Sequence, residues 1–168
     1  AGRRFSKIVV KVPKKEGVTE LKGEEESLGK LDHENVVLIL GMAFCMHKSS
    51  QVPQWSMMLE YAESDLKLLL YGVPEEQRPG KSQAWLDLQA EVFALHSVGT
   101  MAEFAQQIAK GLVYIHSLGI PHLDLKPENV LLAKRHDGQY IAKLADFGMA
   151  FDGSASTSTA SATSSNKG

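Results

Sequence analysis

The sequence predicts an α+β fold. Strand-type runs gather in its first third, helical periodicity takes over beyond residue 84, and an Asp-Gly turn splits two short apolar segments near residue 138. The 168 residues are enough for one compact domain with its own core. With 43% hydrophobic residues, 23% charged residues and a net charge of -2, the chain lacks the basic excess of a polyanion binder. No apolar run reaches membrane-span length, and no signal peptide opens the chain, so a cytoplasmic protein is the default expectation. The single cysteine, Cys45, rules out a disulfide within the chain and reads as a small buried hydrophobe.

The elements follow in order. Ile8, Val9, Val10 and Val12 form a β-branched run stopped by Pro13. Leu21, Leu28 and Leu31 suggest a short helix over 20–31, weakened by Gly23 and Gly29. Residues 36–46, apolar but interrupted by Gly41, read as a buried strand or two, and 55–61 as another. Gly72, Pro74, Pro79 and Gly80 mark a surface loop over 72–83. Trp85, Leu88, Val92, Phe93 and Leu95 suggest an amphipathic helix over 84–97. The clearest helix has a T-x-x-E capping box at Thr100 and Glu103. It carries Ile108, Leu112 and Ile115, supported by Ala105 and Ala109, and ends at Gly119. Segments 130–133 and 140–145 then flank the turn His136-Asp137-Gly138. The last sixteen residues, 153–168, hold nine Ser or Thr and no large apolar residue, so disorder is expected there. No internal repeat is visible.

The chemistry concentrates in His122-Leu123-Asp124-Leu125-Lys126-Pro127-Glu128-Asn129, between the helix and the hairpin, and in Asp146-Phe147-Gly148 just after it. Either motif alone is weak; the loop, hairpin and D-F-G in succession are specific. Together they resemble the catalytic loop and metal-binding motif of the eukaryotic protein kinase family, and Lys126-Pro127-Glu128 resembles its Ser/Thr branch. Ile8-Val9-Val10-Lys11 resembles the family's V-A-I-K strand. Leu31-Asp32-His33-Glu34-Asn35-Val36-Val37 resembles its L-x-H-x-N-I-V segment, and Leu59-Glu60-Tyr61-Ala62 its hinge.

The resemblance implies a two-lobed kinase-like fold, ATP and Mg2+ as cofactors, and a protein Ser/Thr hydroxyl as acceptor. Phosphoryl transfer needs positioning and charge neutralisation more than covalent help. Asp124 would meet the acceptor hydroxyl and Lys126 would offset charge on the transferring phosphate. Asn129 and Asp146 would give a magnesium ion the oxygen ligands it prefers. Lys11 would hold the α- and β-phosphates and pair with Glu24, chosen over its neighbours Glu25 and Glu26. The Glu60 carbonyl and Ala62 amide would meet the adenine, Leu59 would be the gatekeeper, Asp65 would reach the ribose, and Val9 and Leu131 would sandwich the base. Leu28, Ile39, His122 and Phe147 would stack as a spine, which makes His122 structural rather than a general base.

Three departures stand out. Leu123 replaces the arginine of H-R-D, a non-RD pattern, and cannot receive an activation-loop phosphate as that arginine does. No Gly-rich loop precedes Lys11, and no A-P-E follows Asp146. The expectation is a domain truncated at both ends. Residues 1–152 would form the partial domain, with 1–62 the small lobe and hinge and 63–152 the first part of the helical lobe. Residues 153–168 would be an activation-segment tail. The long connection over 72–98 has no assigned role. An active Ser/Thr kinase leads; a non-catalytic kinase-like interaction module and a small-molecule kinase are the alternatives.

Overall fold

The computed structural model describes residues 7–12, 29–46, 53–78 and 80–146. Two small sheets form its frame. In the first, β1 (Ile8–Lys11), β2 (Ile39–Met46) and β3 (Pro53–Glu60) pair antiparallel in the order β1-β3-β2. Val9 lies opposite Leu59 and Lys11 opposite Met57, which is fully buried. The register of β2 slips between Ile39 and Gly41, where glycine adopts φ +133°. That conformation admits glycine at no steric cost, so the interruption bends one strand rather than dividing it.

The second sheet orders β4 (Ser64–Asp65), β5 (Val130–Lys134) and β6 (Tyr140–Leu144) as β4-β5-β6. The β5–β6 turn hydrogen-bonds Gly138 N–H to Arg135 O at 3.0 Å and Arg135 N–H to Gln139 O at 2.7 Å. Gly138 has φ +86° and Asp137 does not share the positive sign. The turn is therefore a three-residue loop closed by a glycine, not the two-residue type I′ form.

Helix α1 (Leu66–Tyr71) starts directly on β4. The Asp65 carboxylate accepts Leu68 N–H at 2.9 Å, and Gly72 ends the helix at φ +68°. Residues Glu75–Gln77 add a 3-10 turn to the predicted loop. Helix α2 (Gln83–Ala94) stops short of the predicted 97. Its inward positions are Gln89 and Val92, while Phe93 is exposed.

Helix α3 (Val98–Ser117) corrects the predicted cap. Ser97, extended at φ -136°, accepts Thr100 N–H at 3.2 Å, so the helix begins at Val98, two residues before Thr100. Thr100 is a helical residue there rather than the cap. Gly119, at φ +75°, closes the other end as expected. The buried stripe runs through Phe104, Gly111 and Ile115; Ala105 and Ala109 are exposed, against expectation.

The predicted 20–31 helix does not extend over its described end. Gly29 and Lys30 form a turn, and Leu31 is non-helical and buried; Leu21, Gly23 and Leu28 lie outside the described residues. From Leu31 the chain threads between α3 and β6. Asn35 Nδ2 donates to Ala142 O at 3.0 Å, Leu144 N–H donates to Asn35 O at 2.9 Å, and Val37 N–H donates to Leu144 O at 2.9 Å. Gln107 Oε1 accepts Ala142 N–H at 2.7 Å. These bonds occupy the outer edge of β6, which would otherwise offer open backbone groups to another chain. The Tyr114 hydroxyl accepts Asp32 N–H at 3.2 Å, and its ring stacks on His33 with centroids 4.7 Å apart. Leu31, Val36, Leu69, Val92, Phe104, Ile115, Leu132 and Leu144 form one shared core. Among the described residues no helix is long and apolar enough to cross a membrane.

Candidate nucleotide and catalytic site

The hairpin brings the chemistry together. Val130 lies opposite Leu144, and one step further the Ala145 N–H donates to Asn129 O at 2.9 Å. The residue after Ala145 is Asp146. The β5–β6 register thus brings Asn129 and Asp146 to the open end of the hairpin, away from its connecting loop, although 17 residues separate them in the chain. Asp146 is in the left-handed region at φ +59°, a conformation that aspartate tolerates better than most residues.

The loop before β5 is held by its own side chains. Asn129 is buried, and its Nδ2 donates to Asp124 O and Asp124 Oδ2, both at 2.9 Å. Lys126 Nζ reaches the same Asp124 Oδ2 at 2.6 Å. The Lys126 ammonium, followed by the Asn129 amide, holds the Asp124 carboxyl below the usual carboxylate range against some desolvation. The same contact raises Lys126. Asp124 is therefore a charged carboxylate at neutral pH and can accept a proton.

Lys11 reaches the site from the other sheet. Its Nζ lies 3.0 Å from Asp146 Oδ1, an ion pair spanning 135 residues of sequence. The expected partner Glu24, and the Phe147 and Gly148 of the D-F-G motif, lie outside the described residues, as does Leu28 of the expected spine. His122 is buried, 3% exposed. Burial pushes its imidazole below the usual histidine range, partly offset by a backbone hydrogen bond with Ala145. A neutral, enclosed imidazole suits the structural role expected of it.

The residues expected around a nucleotide base lie on both sheets. Asp65, Leu131 and Lys143 are successive cross-strand neighbours on the second sheet, while Val9 faces Leu59 on the first. Asp65 is half-buried and already committed as the α1 cap, and burial raises its carboxyl above the usual range. Glu60 and Ala62 follow one another at the exit from β3, and the Glu60 N–H donates to Leu38 O at 3.0 Å. Glu128 forms an ion pair with Lys67 at 3.0 Å. Leu123 is 63% exposed and left-handed, φ 60°. It has no charge to offer a phosphate, as its type already indicated.

A hard divalent cation fits this donor set. The Asn129 amide nitrogen is engaged by Asp124, so its carbonyl oxygen and an Asp146 carboxylate oxygen would be the protein ligands. Magnesium is typically held by one or two such protein groups, with phosphate and water oxygens completing its shell.

Sequence reasoning missed several positioning residues. Gly111 lies so close to the 31–37 segment that a Cβ there would stand 2.6 Å from Asn35 O. Buried Gln89 accepts from Ser64 Oγ at 2.7 Å and donates to Glu63 O at 3.3 Å, which ties α2 to the strand leading into Asp65. Lys143 and Glu60 form an ion pair at 2.8 Å, with side chains 9% and 13% exposed. A polar residue on an otherwise apolar helical or strand face was the only sequence signal for these last two.

Comparison with known proteins agrees with the geometry. A family model described as the protein kinase domain matches residues 4–167. The chain is 34% identical over 140 residues to the L-type lectin-domain containing receptor kinase VI.2 of Arabidopsis thaliana, covering 81% of this chain and 17% of that protein. It is 32% identical over 127 residues to a putative mitogen-activated protein kinase kinase kinase 7-like protein of Drosophila melanogaster, covering 74% of this chain and 26% of that protein. It is 30% identical over 128 residues to the serine/threonine-protein kinase mos of Gallus gallus, covering 74% of this chain and 33% of that protein. The chain spans a third or less of the length of each of these relatives. With a family match over nearly its whole length and the family's loop, lysine and aspartate gathered in one place, the chain belongs to the protein kinase family.

Proposed function

We propose that this chain carries the nucleotide and catalytic residues of an ATP-dependent protein serine/threonine kinase. The reaction would transfer the γ-phosphoryl group of ATP to a Ser or Thr hydroxyl of a protein. The observation that carries this reading is the convergence of Lys11, Asp124, Lys126, Asn129 and Asp146 from two sheets and the intervening loop. Residues 1–62 would act as the small lobe and hinge, and 63–152 as the first part of the helical lobe.

Asp124 would accept the proton of the attacking hydroxyl, since Lys126 and Asn129 keep it ionised. Lys126 would offset charge on the phosphoryl group as it moves. Lys11 would turn from Asp146 toward the α- and β-phosphates. Asn129 and Asp146 would hold magnesium, which when bound neutralises the phosphate oxygens. Val9 and Leu131 would enclose the adenine, with the Glu60 carbonyl and Ala62 amide giving it edge hydrogen bonds and Asp65 near the ribose.

The test is magnesium-dependent ATP binding to the purified chain by calorimetry, with Asp146→Ala as the control. Binding that requires magnesium and disappears in the variant supports the reading. Unchanged magnesium-dependent affinity in the variant refutes the metal role. Absence of binding in the unaltered chain supports the alternative, a non-catalytic kinase-like interaction module.

A further inference from the structure

The Lys143–Glu60 pair has no part in the chemistry described so far, yet it is the best enclosed charge pair described above. Lys143 Nζ lies 2.8 Å from Glu60 Oε1 with both side chains nearly out of solvent. The Lys11–Asp146 and Lys126–Asp124 pairs are a third or more exposed. Glu60 Oε1 also accepts Leu38 N–H at 2.7 Å, and the Glu60 N–H returns a bond to Leu38 O at 3.0 Å. Three segments therefore meet at one carboxylate: the end of β3, the strand entering β2, and β6.

Its position gives it meaning. Lys143 is the cross-strand neighbour of Leu131, so the two side chains leave the same face of the hairpin. Three residues on is Asp146. Glu60 alternates with Leu59, so its side chain leaves β3 on the face opposite the one Leu59 shares with Val9. The two sheets are joined by Lys11–Asp146, which nucleotide and metal must reorganise. They are joined again by Lys143–Glu60, whose side chains take no part in the roles assigned above. A buried pair of this kind is an expensive way to gain stability, but breaking it by removing one partner leaves a buried charge and is strongly resisted.

We infer that Lys143, Glu60 and the Leu38 amide form a buried pin that fixes the hinge over the Leu131 floor and so sets nucleotide affinity. Lys143 is then a positioning residue. The inference rests on the nucleotide-site reading above, and its test has an arm that does not.

The experiment measures Mg-ATP affinity by calorimetry and amide exchange by mass spectrometry in the unaltered chain, Lys143→Met and Lys143→Arg. Lys143→Met should weaken ATP binding on the order of tenfold, within the range typical of coupled sites. It should also speed exchange at Leu38, whose acceptor is released to solvent, and Lys143→Arg should restore both. If Lys143→Met fails to fold, the pair Glu60→Leu/Lys143→Met, which buries no charge and removes the acceptor of the Leu38 N–H, takes its place with the same expectations. Unchanged ATP affinity in a folded Lys143→Met protein overturns the inference. Should the unaltered chain not bind ATP, the nucleotide reading fails and exchange decides the pin alone. Faster exchange at Leu38 upholds the pin, and an unchanged rate there overturns it.

Discussion

Replacing Gly111 with alanine should destabilise this chain, against the ordinary behaviour of a helix interior. In an unobstructed helix the exchange gains about 1 kcal/mol from propensity. Here the new methyl would stand 2.6 Å from the Asn35 carbonyl oxygen and 3.0 Å from Leu144 Cδ1. The leucine can rotate, but a backbone carbonyl cannot. That carbonyl also accepts the Leu144 N–H at 2.9 Å, beside the Val36–Leu144 bridge. Overpacking a tight core contact costs about 1–3 kcal/mol, and weakening that hydrogen bond adds about 1 kcal/mol. Less the propensity gain, a net loss of about 2 kcal/mol follows. At roughly 2–4 °C per kcal/mol for a chain of this size, the melting temperature should fall by about 4–8 °C. Gly99, also in α3 but with no atom within 4 Å of its notional Cβ, is the matched control. Gly99→Ala should leave the melting temperature unchanged or slightly raised. The assay is thermal unfolding followed by circular dichroism. A Gly111→Ala protein as stable as Gly99→Ala would refute the close seating of the 31–37 segment on α3.

Asp65→Ala should lose about 1 kcal/mol with the α1 cap, whereas Asp65→Asn keeps an acceptor oxygen. Burial raises the Asp65 pKa, so its contribution to stability is full below its unfolded value of 3.8 and is lost as pH rises through the folded value. Asp65→Asn should therefore melt at or above the unaltered chain at pH 7, with the gap closing on acidification; a large loss at pH 7 would contradict this. Asp124→Asn should slow phosphate transfer to a Ser/Thr peptide by about 10²–10⁴-fold with ATP affinity retained. An equal turnover rate would remove Asp124 from the proton-accepting role. Tyr114→Phe should cost about 0.5–1.5 kcal/mol through the bond from Asp32 N–H, and urea unfolding with no shift in midpoint would show that contact to be idle.

What could be read from the sequence was the family and the motif residues, of which Lys11 meets Asp146 and Asp124 meets Lys126 and Asn129. Asp124, Lys126, Asn129, Asp146 and Lys11 are described where local order and hairpin register could place them. Glu24 cannot be compared, since it lies outside the described residues. What could not be read depends on neighbours distant in the chain. Nothing near Gly111 announces that Asn35 will pass against it. Ser97-x-x-Thr100 and Thr100-x-x-Glu103 have similar capping patterns, and only the bond to Thr100 N–H separates them. Alanine suits either face of a helix, so Ala105 and Ala109 could not show which stripe of α3 turns inward; Phe104 and Gly111 do. Nothing near Lys143 in β6 or Gln89 in α2 announces burial, because their partners, Glu60 and Ser64, belong to other elements.

The β5–β6 hairpin also makes the chain unequal in its tolerance of altered length. Its open end holds Asn129 and, one residue beyond the partner of Asn129, Asp146, and its closed end is the solvent-facing loop Arg135–Gln139. Slipping one strand past the other by two residues would preserve the face of every side chain, yet would separate those two groups by about 7 Å. Residues added between His136 and Gly138 lengthen only the distal loop and leave the ladder as it is. A reporter peptide or affinity tag placed there would travel with the catalytic hairpin without altering the distance on which the site depends.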